Sequence, residues 1–210
     1  MIDIYNDHAP LSYKVNKDAL PVPYLGNVFS SKIVLLQLNP GSDFPPGFSK
    51  PNESFEYKIF PRLKKDNKYN LRHQYNKIKY PFYALNPVYR LTGGFRYWSR
   101  IFGPLMKCAD DYIEISKKIC CIEFFPYHSK KFSSYKPMVK SQQYTFHLVR
   151  RAIDRNALIV LLRGEKEWRK EVKELTHFIR PKSTRNPVLS KNNFSKKDFA
   201  KIVSILFDDN

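Results

Sequence analysis

Short apolar runs, separated by segments of helical periodicity, are the clearest pattern in the chain. The runs at 33–38, 118–125 and 157–162 are rich in β-branched and aliphatic residues and are too short for buried helices, so each predicts a buried strand. A weaker run at 176–180 predicts a fourth strand. Because helical segments alternate with these runs, the pattern indicates an α/β fold with a parallel sheet and helices on both faces.

Helices are predicted where apolar residues recur every three or four positions. The last helix has the clearest signal, with Ser195 as its expected N-cap and an apolar face formed by Phe199, Ile202, Val203 and Leu206. Ser141 is in the same way the expected N-cap of a helix over 141–155. A further short helix is predicted over 165–174.

Two parts of the chain lack a regular pattern. Residues 1–32 are predicted to be irregular, and residues 42–95 are predicted to form a long irregular insertion with a short helix near 54–65. Connections of this length are usually functional or partly disordered. A helical pattern over 98–109 is interrupted by Pro104, which predicts a kink or a late start. We expect the 210 residues to form a single domain.

The charge balance points to an anionic partner. The chain has 37 Lys and Arg residues against 19 Asp and Glu residues, which gives a net charge of +18 and favours nucleic acid, most of all DNA. The 14 Tyr, 16 Phe and two Trp residues could stack on bases, although most rings are expected to lie in the core. No apolar run has membrane-spanning length, so no membrane partner is predicted.

Cysteine usage gives no sign of a metal or cofactor site. Cys108, Cys120 and Cys121 lack the spacing of a zinc or iron–sulfur site, so neither a metal nor another cofactor is expected. Three cysteines without a pairing pattern are typical of a reducing compartment. The segment 1–10 lacks the apolar stretch of a signal peptide. These features predict a cytoplasmic protein, and we expect a monomer.

Polar segments follow the predicted strands. Asn39-Pro40-Gly41 follows the first strand, residues 123–129 (Glu-Phe-Phe-Pro-Tyr-His-Ser) end the second, and residues 185–190 (Arg-Asn-Pro-Val-Leu-Ser) precede the last helix. In open α/β sheets, ligands bind just outside the carboxyl ends of the strands. The residues at 39–41 are also those of an ordinary turn, so the segment alone does not establish a site.

In this order, the three segments resemble the uracil-DNA glycosylase superfamily. Residues 39–41 are similar to motif A of its mismatch-specific thymine/uracil branch, and residues 186–190 are similar to a shortened motif B. Gly164 and Trp168 after the third strand also fit the family's layout. The resemblance covers roughly residues 30–207. It implies a uracil-DNA glycosylase-like three-layer sandwich with a four-stranded parallel sheet in the order 2-1-3-4.

The implied activity is hydrolysis of the N-glycosidic bond of a damaged or deaminated base in DNA. By the resemblance, Asn39 positions the attacking water and Asn186 donates to the departing base. The expected contacts to an extruded base come from Gly41, Phe44, Glu123 and His128, with Phe48 and Tyr83 as further candidates for stacking. The expected contacts to DNA phosphates come from Lys130, Lys131, Arg185 and Lys191.

Glu123 is the main departure from the family pattern. It stands where related families end the second strand with an Asn. An ionised carboxylate only accepts hydrogen bonds, so it would read an exocyclic amine and repel a base carbonyl. Glu123 is equally consistent with a strand-end carboxylate paired with a Lys or Arg. Because the motif B segment also lacks the family's His, the alternative is a catalytically silent nucleic-acid-binding or protein-interaction module on the same fold.

Overall fold

The chain folds into an α/β structure with helices on both faces of a four-stranded sheet. The computed structural model describes residues 1–41, 55–134 and 138–208. The helices in these ranges are α1 Ile2–His8, α2 Phe55–Leu71, α3 Gly93–Phe102, α4 Asp110–Lys118, α5 Lys140–Asp154, α6 Glu165–Glu171 and α7 Lys196–Phe207. The strands are β1 Tyr24–Gly26, β2 Ile33–Gln37, β3 Ile119–Glu123 and β4 Leu158–Leu161.

The sheet is mixed rather than parallel throughout. Its strand order is β1-β3-β2-β4, with β2 parallel to both β3 and β4 and with β1 antiparallel to β3. The predicted four-stranded parallel sheet in the order 2-1-3-4 is therefore wrong, because an antiparallel strand is added at one edge and the fourth predicted strand is almost absent. β2 nevertheless lies between two parallel neighbours, which brings the carboxyl ends of three strands to one edge.

The added strand β1 lies within residues 1–32, which were expected to be irregular. Gly26 permits its close approach to β3, because a Cβ atom there would lie 2.5 Å from the Ile119 carbonyl oxygen and the residue has φ +86°. Pro21 and Pro23 argue against a strand at this place in the sequence. An edge strand nevertheless tolerates proline nearby, because one side of its backbone needs no hydrogen-bond donor.

The N-terminal segment continues along the exit of β3. The Val22 amide donates to the Pro126 carbonyl and the Asn16 amide donates to the His128 carbonyl. In the other direction, the Lys131 amide donates to the Ser12 carbonyl. These bonds join the N-terminal segment to the loop that follows β3.

The predicted fourth strand, 176–180, is reduced to a single parallel bridge between Ile179 and Val160. The Ile179 amide donates to the Ile159 carbonyl, and the Leu161 amide donates back to the Ile179 carbonyl. Pro181 follows the segment 176–180 directly. It has no amide hydrogen to donate, so the ladder of hydrogen bonds cannot continue.

The two faces of the sheet carry separate apolar clusters. Ile33, Leu35 and Cys121 pack on the side covered by residues of α2, α3, α4 and α7. Val34, Leu36 and Ile122 alternate with them and pack on the side of α1, α5 and α6. Near-continuous apolar runs are therefore needed in the central strands, since both of their faces are buried.

Several helix boundaries differ from the sequence-based expectations. α2 lies in the segment predicted to be mostly irregular and extends to Leu71, with Pro61 inside it. α3 ends at Phe102, and the next turn is a 3-10 turn that contains Pro104.

The N-cap predictions had mixed outcomes. α5 begins at Lys140 and not at Ser141, because the Gln142 side chain accepts a hydrogen bond from the Val139 amide. For α7 the prediction is confirmed: the Ser195 hydroxyl oxygen accepts from the Asp198 amide.

We predict that Gly164→Ala strongly destabilises the fold. Gly164 joins β4 to α6 with φ +79°, and a Cβ atom there would lie 2.3 Å from the Leu38 Cδ2 atom at the end of β2. Strain of this kind costs on the order of 1–3 kcal/mol, to which the steric conflict adds. Denaturant unfolding should show the loss. Gly94→Ala in the first turn of α3 is the matched control and should be neutral, since its nearest contact is 4.0 Å away. Equal stability of the two variants would contradict the prediction.

Candidate functional site

The carboxyl ends of β2, β3 and β4 form one edge of the sheet. After β2 the chain continues to β3, which lies on one side of β2. After β4 it continues to Ile179, which lies on the opposite side of the sheet. Ligands of open α/β sheets bind at such a switch point, where neighbouring strands lead in opposite directions. An open groove of about 930 Å³ lies there, with Leu38, Leu161 and Gly164 among its lining residues.

The charged residues that line this carboxyl-edge groove are mainly basic. Its basic residues are Arg163, Lys166, Arg180, Lys182 and Arg185, and its acidic residues are Glu165, Glu167 and Asp198. Part of the charge is internally compensated, because Arg180 pairs with Glu165 at 2.6 Å. The surplus of cations favours an anionic ligand, most simply a phosphate group.

Arg163 fastens the loop before α7 to the end of β4. Its Nε atom donates to the Thr184 carbonyl at 3.2 Å, and Nη2 donates to the Arg185 carbonyl at 3.1 Å. On the far side of the loop, the Asn193 side chain donates to the carbonyls of Asn186 and Val188. The loop predicted to resemble motif B is thus held at the carboxyl edge through its backbone.

Asn39 joins the loops that follow β2 and β3. Its Nδ2 atom donates to the Pro40 carbonyl, the Ser129 carbonyl and the Ser129 hydroxyl, each at 3.0 Å. These three contacts, which we name the Asn39 clamp, fix the orientation of the amide. Within the described parts of the chain, no hydrogen bond to its Oδ1 atom is present, so this oxygen is the group of Asn39 that can accept from a ligand or water.

His128 makes a second connection between the same loops. Its Nδ1 atom lies 2.6 Å from the Gly41 carbonyl oxygen, which can only accept, so Nδ1 carries the proton. In the neutral ring, Nε2 is then an acceptor. Asn39, Gly41 and His128 are therefore brought together, as expected for residues of one site.

Glu123 lies in a polar group at the carboxyl edge, which we name the edge cluster. The cluster consists of Gln37, Tyr97, Cys121, Glu123 and Arg163. Glu123 is opposite Gln37 in the parallel ladder, and the Gln37 side chain donates to the Tyr97 hydroxyl on α3 at 2.5 Å. The Cys121 thiol donates to Glu123 Oε1 at 3.8 Å. Glu123 Oε2 is buried and has no hydrogen-bond partner among the described residues.

Burial changes the charge state of this carboxyl group. Glu123 is only 3% exposed, and loss of hydration raises its pKa from 4.5 to about 8, against smaller lowering effects of the Cys121 thiol and the Arg163 charge. The pKa of Tyr97 is raised to about 12, chiefly by burial. The expectation from the sequence was an ionised Glu123 that only accepts hydrogen bonds. In the folded protein it is mainly protonated at neutral pH and can donate a hydrogen bond to a carbonyl group.

The remaining predicted residues are spread along the edge. Asn186 and Lys191 are exposed on the loop before α7, and no side-chain hydrogen bond of Asn186 is present in the described part of the molecule. Lys130 is exposed beside the clamp. Lys131 is turned toward the N-terminal segment, with its Nζ atom 5.7 Å from the centre of the Tyr13 ring.

The aromatic candidates have different outcomes. Phe44 and Phe48 lie outside the described residues. Tyr83 is buried in the core, in a 3-10 turn, and is therefore unsuitable as a stacking platform. Trp168 is also buried, and its indole N–H donates to the Gln37 carbonyl at 3.0 Å, which fixes the end of β2.

Sequence reasoning missed several residues of this edge. Gln37 lies within a predicted strand and Tyr97 within the helix α3, so neither stands at a predicted strand end, where a site residue is expected. Ser129 has only the signal of a loop residue. Arg163, the first residue after an apolar strand, had the same positional signal as Asn39 and could have been found.

Comparison of the chain with family models, with curated proteins and with solved structures found no match. None of the helices in the described ranges combines the length and the apolar character needed to cross a membrane. The same ranges contain no group of three His, Cys, Asp or Glu side chains arranged to hold a metal ion.

We predict that Glu123 makes the stability of the protein depend on pH. Because its folded-state pKa is raised, its contribution is complete below pH 4.5 and is lost as the pH rises through about 8. Glu123→Gln keeps the shape and stays neutral. The melting temperature of this variant relative to the native protein should therefore increase by several degrees, roughly 3 °C or more, between pH 5 and pH 9.

The exposed Glu114→Gln is the control for this measurement. Among the described residues, the Glu114 side chain pairs only with Lys117 at the surface, so its replacement should shift the melting temperature equally at both pH values. Parallel melting curves for Glu123→Gln and the native protein would show that the carboxyl group is ionised in the folded state.

Proposed function

We propose that this protein binds DNA along the carboxyl edge of its sheet and hydrolyses the N-glycosidic bond of a damaged or deaminated base. The observation that carries the proposal is the buried Glu123 carboxyl with an unpartnered oxygen at the end of β3. A polar atom of this kind is costly in a core and is more easily understood as a group that meets a ligand. The resemblance to the uracil-DNA glycosylase superfamily supplies the reaction class.

Glu123 would recognise the base through a carbonyl oxygen. When protonated, its O–H donates to that oxygen, and the bond becomes stronger as negative charge develops on the departing base. A protonated Glu123 would therefore attract a carbonyl group, whereas the ionised form would repel it. It favours bases with a carbonyl group on the recognised edge, such as uracil, thymine, hypoxanthine or xanthine, over bases that present only an amine there.

Asn39 would position the attacking water. Its nitrogen is occupied by Pro40 and Ser129, so its oxygen is directed by the clamp and can accept a hydrogen bond from water. An amide is a weaker base than a carboxylate, so positioning rather than proton removal would be its contribution. Slow chemistry is expected for this reason.

The basic groove would hold the DNA strand. Arg185 and Lys182 line it beside Arg163, which is engaged with the loop backbone. Lys130 and Lys191 are exposed at either side and would contact flanking phosphates. Asn186 remains the proposed donor to the departing base from the loop before α7.

A catalytically silent binding module is the second candidate. The observation that favours it is the exposed position of Asn186, whose loop is held through its backbone rather than its side chain. DNA binding without excision of any base by the intact protein would support this candidate over the glycosylase.

We predict that Asn39→Ala lowers the single-turnover rate of base excision by about a hundredfold or more, because a water-positioning group is lost from the transition state. The assay uses labelled oligonucleotides that contain uracil, a thymine mismatch, hypoxanthine or xanthine. DNA affinity, measured in parallel, should change little.

Ser129→Ala is the matched control for this rate. It removes one of the three acceptors of the Asn39 amide and leaves the Asn39 oxygen in place. Its rate should fall less than tenfold. Equal losses in both variants would assign Asn39 a structural role only.

We also predict that excision by the native protein decreases as the pH rises through about 8, since Glu123 then loses its proton. Glu123→Gln donates at every pH, so its rate should not fall over this range. The measurement is a single-turnover pH profile of both proteins on their best common substrate. The same decrease in both profiles would exclude Glu123 as the titrating donor.

A further inference from the structure

A second groove lies at the opposite edge of the sheet, where β2 and β4 begin. It has a volume of about 700 Å³, and its cationic side chains are Lys32, Arg155 and Lys201, with His177 beside them. Among the described residues that line it, none is acidic. The carboxyl-edge groove, in contrast, has three acidic residues in its lining. The positive charge of the amino-edge groove is therefore less compensated by nearby acids.

Arg155 connects two segments of the chain that line this groove. Its Nη1 atom donates to the Ser31 carbonyl at 2.5 Å, and Nη2 donates to the Val28 carbonyl at 3.2 Å. These bonds join the end of α5 to the loop before β2. From this loop, Phe29, Ser30 and Lys32 line the groove.

A row of rings extends from the groove along α5. Phe29 lies 4.6 Å from His73, and His73 lies 6.1 Å from Tyr144, measured between ring centres. Phe29 is 39% exposed and Tyr144 is 40% exposed, which is unusual for large rings with this much packing. The Arg151 guanidinium lies 5.1 Å from the centre of the Phe29 ring.

Hydrogen bonds fix the positions of the His73 and Tyr144 rings. The two nitrogens of His73 bond to the hydroxyls of Tyr75 at 2.9 Å and Tyr144 at 2.8 Å. The His73 ring is also stacked on Tyr24 of β1, with 6° between the ring planes. Rings held in this way lose little freedom when a planar group stacks on them.

We infer that the amino edge is a second nucleic-acid surface, separate from the proposed base site, and that its ligand is a single strand. The cations of the groove would hold the phosphates, and Phe29 with Tyr144 would stack on the bases. Stacking and a basic groove are the two components of single-strand recognition. A duplex offers the same phosphates but no exposed base faces. An acidic peptide offers the charge, but it does not pair a planar group with each charge as a nucleic-acid strand does.

The test is binding of labelled oligothymidylate, measured by fluorescence anisotropy over a range of salt concentrations. The double variant Lys32→Glu/Lys201→Glu should weaken binding at low salt by roughly tenfold or more. It should also lower the slope of log affinity against log salt by about 1.4, since each contact to a single-strand phosphate contributes about 0.7. Phe29→Ala should weaken binding roughly fivefold or more and leave the slope unchanged.

Lys64→Glu/Lys107→Glu is the matched control. Both lysines are exposed, neither belongs to the lining of the two grooves described above, and the change in net charge is the same. This variant should bind oligothymidylate within about threefold of the native protein and keep its slope. This binding does not depend on the proposed glycosylase activity, so absence of base excision would leave the inference intact.

Three results would each overturn the inference. The first is equal weakening by the control pair and the groove pair, which would show that net charge alone acts. The second is a tighter complex with duplex of the same length that depends on the same groove lysines. The third is no binding of the single strand by the native protein at low salt.

Discussion

The central position of β2 is the constraint on which the rest of the structure depends. β2 pairs with β3 on one side and with β4 on the other, and its residues are buried on both faces. The Gln37 carbonyl accepts from the Trp168 indole and from the Phe124 amide, both at 3.0 Å. The end of β2 is thus held both from the helical layer and from the sheet. Glu123 and Asn39 have defined positions because this end is fixed.

Glu123 is in conflict with the stability of the core around it. A buried polar atom without a partner costs about 1–3 kcal/mol, and the nearest donor on its own strand is only a thiol. An apolar side chain at this position would avoid that cost. Residues that break the rules of a core in this way are characteristic of sites that meet a ligand.

Much of the fold could be predicted because burial on both faces leaves a strong signal. The runs that became β2, β3 and β4 are apolar almost without interruption, which a strand buried on both faces requires. β1 could not be predicted, because three residues beside two prolines carry no period. The segment 176–180 does look like a strand, but whether Ile179 extends the ladder depends on Pro181 and on tertiary contacts.

The site could be predicted only in part. Asn39 and Glu123 follow apolar runs, so their place at the edge is visible in the sequence. Tyr97 joins them only because α3 packs across the sheet, and no local pattern specifies this packing. The protonation of Glu123 is a property of its burial, which the residue type does not reveal. The assignment of roles to Asn186 and His128 stays a prediction from the resemblance.

The bonds between the N-terminal segment and the loop after β3 make distant parts of the chain a single cooperative unit. Asn16 and Lys131 hold the segment to that loop, and the Asn39 clamp holds the loop to the end of β2. Partial unfolding usually releases such a unit as a whole. A fluctuation that detaches the first residues would therefore also open the carboxyl edge, so the lifetime of the site is set by a segment that contributes no side chain to its chemistry.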